Sequence, residues 1–425
     1  MMPINNLHPR INGERLNQSL VKLSQIGALA EGGVCRLALT DADRRGRDQL
    51  VSWMKDLQMA IHIDEVGNIF GIRLGESDLP PVMLGSHIDT VTVAGRYDGC
   101  YGVLAALECV HTLNDNNVKT RRSVAVAAFT NEEGVRYQPG MLGSAAYRGS
   151  LPVEKARDIQ GIDGSRFGDE LEKIGYAGTM KCGEIQPYAY LELHIEQGPS
   201  LDWEQIPLGV VDAVVGISWY DVTVIGVANH AGTTPMELRH DAGLSAARMI
   251  NRIRQIAVSL GGNQKATCGM VAFYPNAINI IPGKATFTVD LRNDDDDALR
   301  KAEQQLAVIA REVEAEGGVT IQIHQLEHVP PVKFHPSVVS AIEESSEGLG
   351  IRHRRVISGA GHDAQLMAGI CPAAMIFVPS QGGISHSPAE YTSPEALETG
   401  AKVLLRTLLS LANRNEELKL DVSWT

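Results

Sequence analysis

The chain has 425 residues, of which 44% are hydrophobic and 21% are charged, and its formal net charge is −13. This length favours two domains, and the composition is typical of a globular protein. The acidic balance argues against nucleic acid and anionic membranes as partners, because both are bound by basic surfaces.

The N-terminal segment and the cysteines both indicate the cellular compartment of the protein. The segment Met1–Asn17 lacks the apolar core of a signal peptide, and no stretch reaches the roughly 20 apolar residues that a membrane span needs. The six cysteines include no CxxC pair, as is usual for reduced thiols in the cytosol. The sequence therefore predicts a cytoplasmic protein.

Strand-like and helix-like segments alternate in the N-terminal half and again near the C-terminus. Strands are predicted at Val82–Leu84, Ser123–Phe129, Tyr190–Leu193 and Ala373–Val378, and a helix at Gly102–Leu113. This alternation predicts an α/β fold with a mostly parallel sheet and helices on both of its faces.

The middle of the chain shows a different pattern. Strands are predicted at Trp219–Val227, Ala285–Leu291 and Val319–Gln325, and helices at Gly243–Val258 and Ala298–Gly317. Half-exposed strands mixed with helices indicate a smaller α+β domain that is inserted into the larger one. We therefore expect a catalytic domain of residues 1–215 and 329–425, and an inserted lid or dimerisation domain of residues 216–328.

Acidic and imidazole side chains lie where the predicted strands of the larger domain end. They are His87, Asp98, Glu132, Glu133, His194 and His386. In an open α/β sheet the carboxyl ends of the strands form the ligand-binding crevice, so these six side chains should converge. Histidine and carboxylate together are ligands for Zn, Mn, Co or Ni. The set suits two divalent ions about 3.5–4 Å apart that share one water.

Five sequence blocks resemble the signature of a known enzyme family. They are GSHIDT, YDG, TNEEG, LHIEQG and SHSP, and they span the chain from residue 85 to residue 388. In composition and order they are similar to the blocks of the hydantoinase/carbamoylase amidases. That family comprises N-carbamoyl-L-amino-acid hydrolases, β-ureidopropionases and allantoate amidohydrolases, and it is related to the di-zinc aminoacylases and carboxypeptidases.

The resemblance implies an amidohydrolase with two divalent metal ions per subunit. By this resemblance Asp98 bridges the two ions, and His87 and His194 hold one of them. Glu133 and His386 hold the other, although the sequence alone leaves this partition open.

Glu132 is similar to the general base of the family. Adjacent carboxylates after a strand point in different directions, so Glu133 can bind metal while Glu132 accepts a proton from water. The alternative is that Glu132 only supports the ligands through hydrogen bonds. The Asp89 carboxylate is expected to accept the second ring N–H of His87, the alternative being a helix or turn cap.

The inserted domain contains residues that resemble the substrate-binding groups of the family. The block HAGTTP begins at His230, and its histidine in the family stabilises the oxyanion. Asn279 and Arg292 resemble the family's carboxylate-binding pair, and arginine is suited to bidentate contacts with carboxylate. The alternative for Arg292 is a surface salt bridge with Asp294 or Asp295.

Two further features belong to the larger domain. Gln197, three residues after His194, resembles a family residue that contacts the ureido group of the substrate. The block SGAGHDA, which begins at Ser358, would let backbone N–H groups approach an anion, with His362 and Asp363 in support.

We therefore expect an enzyme that cleaves the carbamoyl C–N bond of an N-carbamoyl-L-amino acid. Its partner is a small ureido substrate that bears a carboxylate. The alternatives are allantoate amidohydrolase or β-ureidopropionase, and, less in keeping with the motifs, an aminoacylase, a peptidase or a metal-binding protein without catalysis. The resemblance also implies a homodimer formed through the inserted domains, in which His230 reaches the neighbouring protomer's site.

Overall fold

The computed structural model describes residues 9–418 of the chain. The first eight residues of the N-terminal segment Met1–Asn17 lie outside this range. The chain forms two compact units: one runs through Asp212 and resumes at Lys333, and the other comprises Ala213–Val332. Within residues 9–418, no helix is long and apolar enough to cross a membrane.

The α-helices of the described chain are numbered from its N-terminal end. They are α1 (Gly13–Ser24), α2 (Asp41–Asp56), α3 (Cys100–Asp115), α4 (Leu142–Arg148), α5 (Val153–Asp158), α6 (Phe167–Lys173), α7 (Ser200–Trp203), α8 (Ala242–Leu260), α9 (Asp296–Gly317), α10 (Pro336–Gly348), α11 (Asp363–Met367) and α12 (Pro394–Ala412). Short 3-10 helices lie at Met236–Leu238 and Gln381–Gly383.

The strands are numbered in the same direction. They are β1 (Ala60–Ile63), β2 (Ile69–Arg73), β3 (Val82–His87), β4 (Val124–Phe129), β5 (Ala189–Ile195), β6 (Gly209–Val214), β7 (Gly216–Ile225), β8 (Asn229–His230), β9 (Lys265–Thr267), β10 (Val271–Tyr274), β11 (Ile280–Ile281), β12 (Lys284–Asn293), β13 (Thr320–Val329), β14 (Val332–Lys333), β15 (Arg354–Ser358) and β16 (Ala373–Val378).

The larger unit is built on a sheet whose centre is parallel. In the described part of the chain this sheet has nine strands in the order β1-β2-β4-β3-β5-β16-β6-β14, and β15 also pairs with β6. Strands β4, β3, β5 and β16 are mutually parallel, whereas β1, β2 and β6 are antiparallel to their neighbours. The predicted α/β fold is confirmed, with antiparallel strands added at the edges of the sheet.

The four parallel strands are buried along their whole length. This is expected of parallel strands that are covered by helices, and it explains their continuous apolar runs. Helices α3 and α12 pack against β3 and β5, and α11 packs against β5 and β16. The carboxyl ends of these four strands therefore form one rigid edge on which loops can place side chains precisely.

The smaller unit, which is described throughout, is an antiparallel sheet packed against two helices. Strands β10, β12, β7 and β13 lie in that order, β9 also pairs with β12, and β8 pairs separately with β11. Along β12, buried Phe287 and Val289 alternate with partly exposed residues and join a core with Val222 and Val224 of β7. Apolar residues of α8 and α9 complete this core, as the period-two strand pattern predicts.

Candidate metal centre and substrate-binding residues

The structure brings the six predicted metal-site side chains to the carboxyl edge of the parallel strands. Two of them lie in strands, His87 as the last residue of β3 and His194 as the residue before the last of β5. The other four lie in loops: Asp98 before α3, Glu132 and Glu133 after β4, and His386 after β16. Because the strands are parallel, their ends meet at one edge although the residues are far apart in the sequence.

The candidate ligands form two groups that share Asp98. Its Oδ1 lies 3.1 Å from Nε2 of His194 and 3.7 Å from Nε2 of His87. Its Oδ2 lies 3.1 Å from Nε2 of His386, which is 3.5 Å from Oε2 of Glu133. In each group the ligand atoms lie within 4.8 Å of one another. One carboxylate therefore faces two adjacent positions, as a bridging ligand of two ions does.

The carboxylates of the site are crowded in a buried environment. Burial raises the pKa of Glu132 and of Glu133 well above the ordinary value, and neighbouring carboxylates add to the effect. Burial also opposes the charge of Asp98, but hydrogen bonds with His194 and His386 outweigh it and hold the pKa of Asp98 well below its usual range. Oε1 of Glu133 is buried without a hydrogen-bond partner among the described residues. Cations would satisfy these groups, so the donor set fits two divalent ions.

The two buried histidines present the same ring nitrogen to the site. Nδ1 of His87 lies 3.0 Å from the carbonyl oxygen of Asp89, and Nδ1 of His194 lies 2.8 Å from that of Ile195. A carbonyl only accepts, so each Nδ1 carries the proton and each Nε2 faces Asp98. Burial lowers the pKa of His87 to about 4. Burial opposes the charge of His194, but its hydrogen bond with Asp98 outweighs it and raises the pKa to about 9. The raised pKa favours a second proton on Nε2, and a cation bound at Nε2 would compete with that second proton.

The Asp89 carboxylate acts on the glutamates rather than on the histidine. Its nearest oxygen lies 3.8 Å from Nδ1 of His87, so the contact predicted for the carboxylate is wrong and the Asp89 carbonyl makes it instead. The carboxylate accepts the backbone N–H groups of Glu132 (3.2 Å) and Glu133 (3.3 Å). This orients the loop that places Oε2 of Glu132 3.5 Å from Nε2 of His87.

Three site residues have left-handed backbone conformations. The φ angles of Asn131, Gln197 and His386 are 58°, 55° and 53°. Such conformations are unusual outside glycine, cost about 1–3 kcal/mol each and cluster at functional sites. In this conformation Gln197 donates from Nε2 to Oδ2 of Asp98 (2.7 Å), and its buried Oε1 has no hydrogen-bond partner within residues 9–418.

Gly99 is required by the position of the His87 ring. It precedes α3 with φ 61°, and a Cβ atom built there would lie 2.4 Å from Nε2 of His87. Any other residue would displace this ring, so the glycine after Asp98 lets the loop and the histidine approach one another.

Glu390 supports the site and was not predicted from the sequence. Its Oε1 accepts the backbone N–H groups of Tyr97 (3.0 Å) and Asp98 (3.4 Å), and its Oε2 accepts the hydroxyl of Ser385 (2.9 Å). It thereby joins the loop of Asp98 to the loop of His386. The one signal was a carboxylate four residues after His386, and a single sequence does not distinguish this from a surface residue.

A third cluster, of Glu192, His194 and His362, lies behind the first ligand group. Glu192 accepts the N–H of Ala364 (2.8 Å), and Nε2 of His362 lies 3.0 Å from Oγ of Ser358. The rings of His362 and His194 pack edge to face at 4.6 Å. These donors and acceptors are already hydrogen-bonded, so the cluster supports His194, in agreement with the role expected of His362.

His230 and Asn279 lie together at one end of the smaller unit. The N–H of Ala231 donates to the carbonyl oxygen of Asn279 (2.9 Å). Nδ1 of His230 accepts the N–H groups of Gly232 (3.0 Å) and Thr233 (3.1 Å). The ring proton of His230 is therefore on Nε2, and the exposed ring offers a donor to an approaching oxygen.

Arg292 pairs with an acidic residue of its own strand. Its Nε and Nη2 lie 3.0 Å and 2.9 Å from the Asp290 carboxylate, because residues two apart on a strand share a face. Of the two partners expected from the sequence, Asp294 accepts the amide of Asn263, and Asp295 accepts the N–H of Ala298 at the start of α9.

The structure does not bring Asn279 and Arg292 together within one chain. Strand β12 pairs with β7 from Lys284 opposite Ile225 to Asn293 opposite Gly216. Arg292 is eight residues beyond Lys284 in this ladder, which corresponds to about 26 Å at about 3.3 Å per residue. Asn279 precedes Lys284 and lies beyond the opposite end of the same strand.

Comparison with known proteins places this fold and site in a family. Residues 83–410 match Peptidase family M20/M25/M40, and the chain belongs to that family, whose amidohydrolases are metal-dependent. The chain is 39% identical over 404 residues to the N-carbamoyl-L-amino-acid amidohydrolase of Rhizobium meliloti, a match that covers 95% of this chain and 97% of the relative. It is 36% identical over 405 residues to the allantoate amidohydrolase of Escherichia coli, over 94% of this chain and 98% of the relative.

A solved structure extends the comparison to the fold. The hydantoinase/carbamoylase family amidase from Burkholderia multivorans superimposes with a TM-score of 0.93 and 42% identity, over 96% of this chain and 99% of that chain. The resemblance to hydantoinase/carbamoylase amidases that was predicted from the sequence blocks is confirmed.

Proposed function

We propose that this protein hydrolyses the carbamoyl C–N bond of an N-carbamoyl-L-amino acid and releases the amino acid, CO₂ and ammonia. The observation that carries the proposal is the pair of histidine–carboxylate groups that share Asp98, with Glu132 beside them. The identity to the Rhizobium meliloti enzyme over almost the whole chain supports the same activity.

The ligand set supports two divalent ions of Zn, Mn, Co or Ni per subunit. Asp98 would contact both ions, with His87 and His194 on one ion and Glu133 and His386 on the other. When bound, such ions lower the pKa of a water and polarise the scissile carbonyl.

Glu132 is the proposed general base. It accepts the proton of the attacking water and returns it to the departing nitrogen. Its backbone N–H is fixed by Asp89, and the left-handed Asn131 before it turns the loop toward the site. The Glu132 carboxylate is thereby kept next to His87.

Four residues are the proposed substrate contacts: Gln197, His230, Asn279 and Arg292. Oε1 of Gln197 has no hydrogen-bond partner within residues 9–418, so it could accept a ureido N–H of the substrate. Arg292 would bind the substrate carboxylate through its planar guanidinium. Nε2–H of His230 and the amide of Asn279 would donate to the oxyanion and the carboxylate.

The strand register supports a site shared between two protomers. Arg292 lies about 26 Å along β12 from Lys284, and Asn279 precedes Lys284 in the chain, so one small ureido acid would not reach both residues of the same chain. We therefore propose that His230 and Asn279 act in the partner's site of a homodimer. Exposed apolar side chains flank these residues: Met236 is 69% exposed, Leu238 66% and Ile278 104%. Such a patch is typical of an interface.

We also propose that the protein acts in the cytoplasm. All six cysteines lie within the described residues and are free thiols, as expected in a reducing compartment.

Allantoate is the second candidate substrate, because the allantoate amidohydrolase of Escherichia coli is nearly as similar as the carbamoylases. Allantoate also combines ureido groups with a carboxylate. Arg292 therefore suits both substrates, and the residues on the metal side do not discriminate between them.

Ammonia release from N-carbamoyl-L-amino acids, their D-enantiomers, allantoate and N-carbamoyl-β-alanine tests the proposal. We expect chelation to abolish activity and Mn, Co, Ni or Zn to restore it, with the highest kcat/KM on an N-carbamoyl-L-amino acid. A higher kcat/KM on allantoate would make allantoate the substrate. Full activity of the metal-stripped protein would contradict the metal mechanism.

A further inference from the structure

We infer that Arg36 is a positioning residue of the metal centre, which holds the turn after His87 against the start of the helix after Asp98. The inference rests on the ligand set of the proposed function. It concerns a residue that contacts neither the substrate nor the ligands' donor atoms.

The guanidinium of Arg36 joins three segments of the larger unit. Arg36 is 1% exposed. Its Nε donates to the carbonyl oxygen of Ile88 (2.7 Å), and its Nη2 donates to Sγ of Cys100 (3.0 Å). Its Nη1 donates to the carbonyl oxygens of Leu23 (3.2 Å) and Ile26 (2.8 Å) at the end of α1.

Two of these contacts lie directly beside proposed ligands. Ile88 follows His87, and Cys100 follows Asp98 by two residues. The planar fork of Arg36 therefore fixes the distance between the segment that carries His87 and the segment that carries the shared carboxylate. Groups that orient metal ligands in this way typically contribute about 10- to 100-fold to metal affinity or activity.

The hydrogen-bond partners of this cation are neutral, which is unusual for a fully buried guanidinium. Arg47 is similarly buried but pairs with Asp43 at 2.8 Å. Arg36 makes no ion pair within residues 9–418, and a buried charge with only neutral partners is costly for stability. The turn and the helix start that Arg36 holds adjoin the buried carboxylates Asp89 and Asp98 in the sequence.

The packing around Arg36 leaves it little room to move. A Cβ atom built on Gly46 of α2 would lie 2.8 Å from Cδ and 3.4 Å from Nε of Arg36. The backbone of Arg36 is also bonded to Thr90, through Thr90 Oγ1 (2.8 Å) and the Thr90 N–H (3.0 Å). Gly46→Ala is therefore a second way to displace the guanidinium, and it retains the charge.

Arg122 offers a matched control for the loss of a buried arginine. It is 3% exposed, donates from Nη1 to the carbonyl oxygen of Pro80 (3.3 Å) and stacks on Tyr188 at 3.7 Å. It lies just before β4 begins, at the edge of the sheet opposite Glu132, which follows the end of β4.

Mn²⁺ affinity, measured by competition with a fluorescent chelator, tests the inference. We expect Arg36→Met to weaken Mn²⁺ binding by about 10- to 100-fold and Gly46→Ala by a smaller factor, with Arg122→Met within about twofold of the wild type. Thermal unfolding of the metal-free proteins measures the loss of stability separately. Arg36→Lys keeps the charge but loses the planar guanidinium, so its Mn²⁺ affinity is expected to lie between those of Arg36→Met and the wild type.

Equal Mn²⁺ affinities of Arg36→Met and Arg122→Met would make Arg36 an ordinary core residue and overturn the inference. If Arg36→Met does not fold, the Mn²⁺ affinity of Gly46→Ala is the deciding measurement. A Mn²⁺ affinity equal to that of the wild type would overturn the inference. A wild-type protein that does not bind two Mn²⁺ ions would instead contradict the proposed function, whatever the variants do.

Discussion

The metal centre of the larger unit and the substrate-binding candidates of the smaller unit differ in how sequence distance relates to spatial distance. The ligand candidates, which are spread from His87 to His386 in the sequence, meet within a few ångströms because each lies at or after the carboxyl end of a parallel strand. Asn279 and Arg292 are close in sequence, but Arg292 lies near the end of the antiparallel strand β12 and Asn279 precedes its start. Strand direction therefore predicts where the residues of the first site meet, whereas the second set would be completed by a partner chain in the homodimer that we propose.

The largest effect on kcat is expected at Glu132, the proposed general base. Glu132→Gln should lower kcat by about 10²- to 10⁴-fold and leave the metal content unchanged, because the proton acceptor is lost and the ligands remain. Glu133→Gln is the matched control and should lose metal together with activity. Steady-state kinetics and metal analysis of both variants measure this. A parallel loss of metal in Glu132→Gln would make Glu132 a ligand.

A smaller effect is expected at Arg292, the proposed contact for the substrate carboxylate in the smaller unit. Arg292→Ala should raise KM by roughly 30- to 1000-fold, equivalent to about 2–4 kcal/mol, because a charged contact with the substrate is lost. Arg300, whose exposed side chain pairs with Asp296 in the same unit, is the control, and Arg300→Ala should leave KM unchanged. Similar KM values for the two variants would assign Arg292 a structural role with Asp290.

The smallest expected signal is the activity recovered in hybrid dimers, which tests the proposal that the site is shared between two protomers. His230→Ala and Glu132→Ala should each be inactive as homodimers. Random subunit exchange makes half of the dimers hybrids with one intact site of two, so about a quarter of wild-type activity should return. Native mass spectrometry measures the hybrids. Hybrids without recovered activity would place His230 in the site of its own chain.

The parallel centre of the sheet and the positions of the six metal-site residues could be predicted, because strand period and strand order are properties of the sequence. The directions of side chains in loops could not. The Asp89 carboxylate accepts the Glu132 N–H, and it is the Asp89 carbonyl that accepts from His87. The sequence is equally compatible with a carboxylate or a carbonyl contact to His87 at this position. The buried positions of Glu390 and Arg36 could not be predicted either, because charged residues in a single sequence are expected at the surface.

The left-handed backbone at Asn131, Gln197 and His386 also restricts which amino acids these positions accept. β-Branched residues are strongly disfavoured at positive φ, so a mutant library at Gln197 would retain mainly glycine, asparagine and aspartate. Arg292 lies in regular extended backbone, where branched and aromatic residues fit equally well. Directed evolution of the substrate range of this enzyme can therefore use more kinds of amino acid on β12 than in the loop beside the metal ligands.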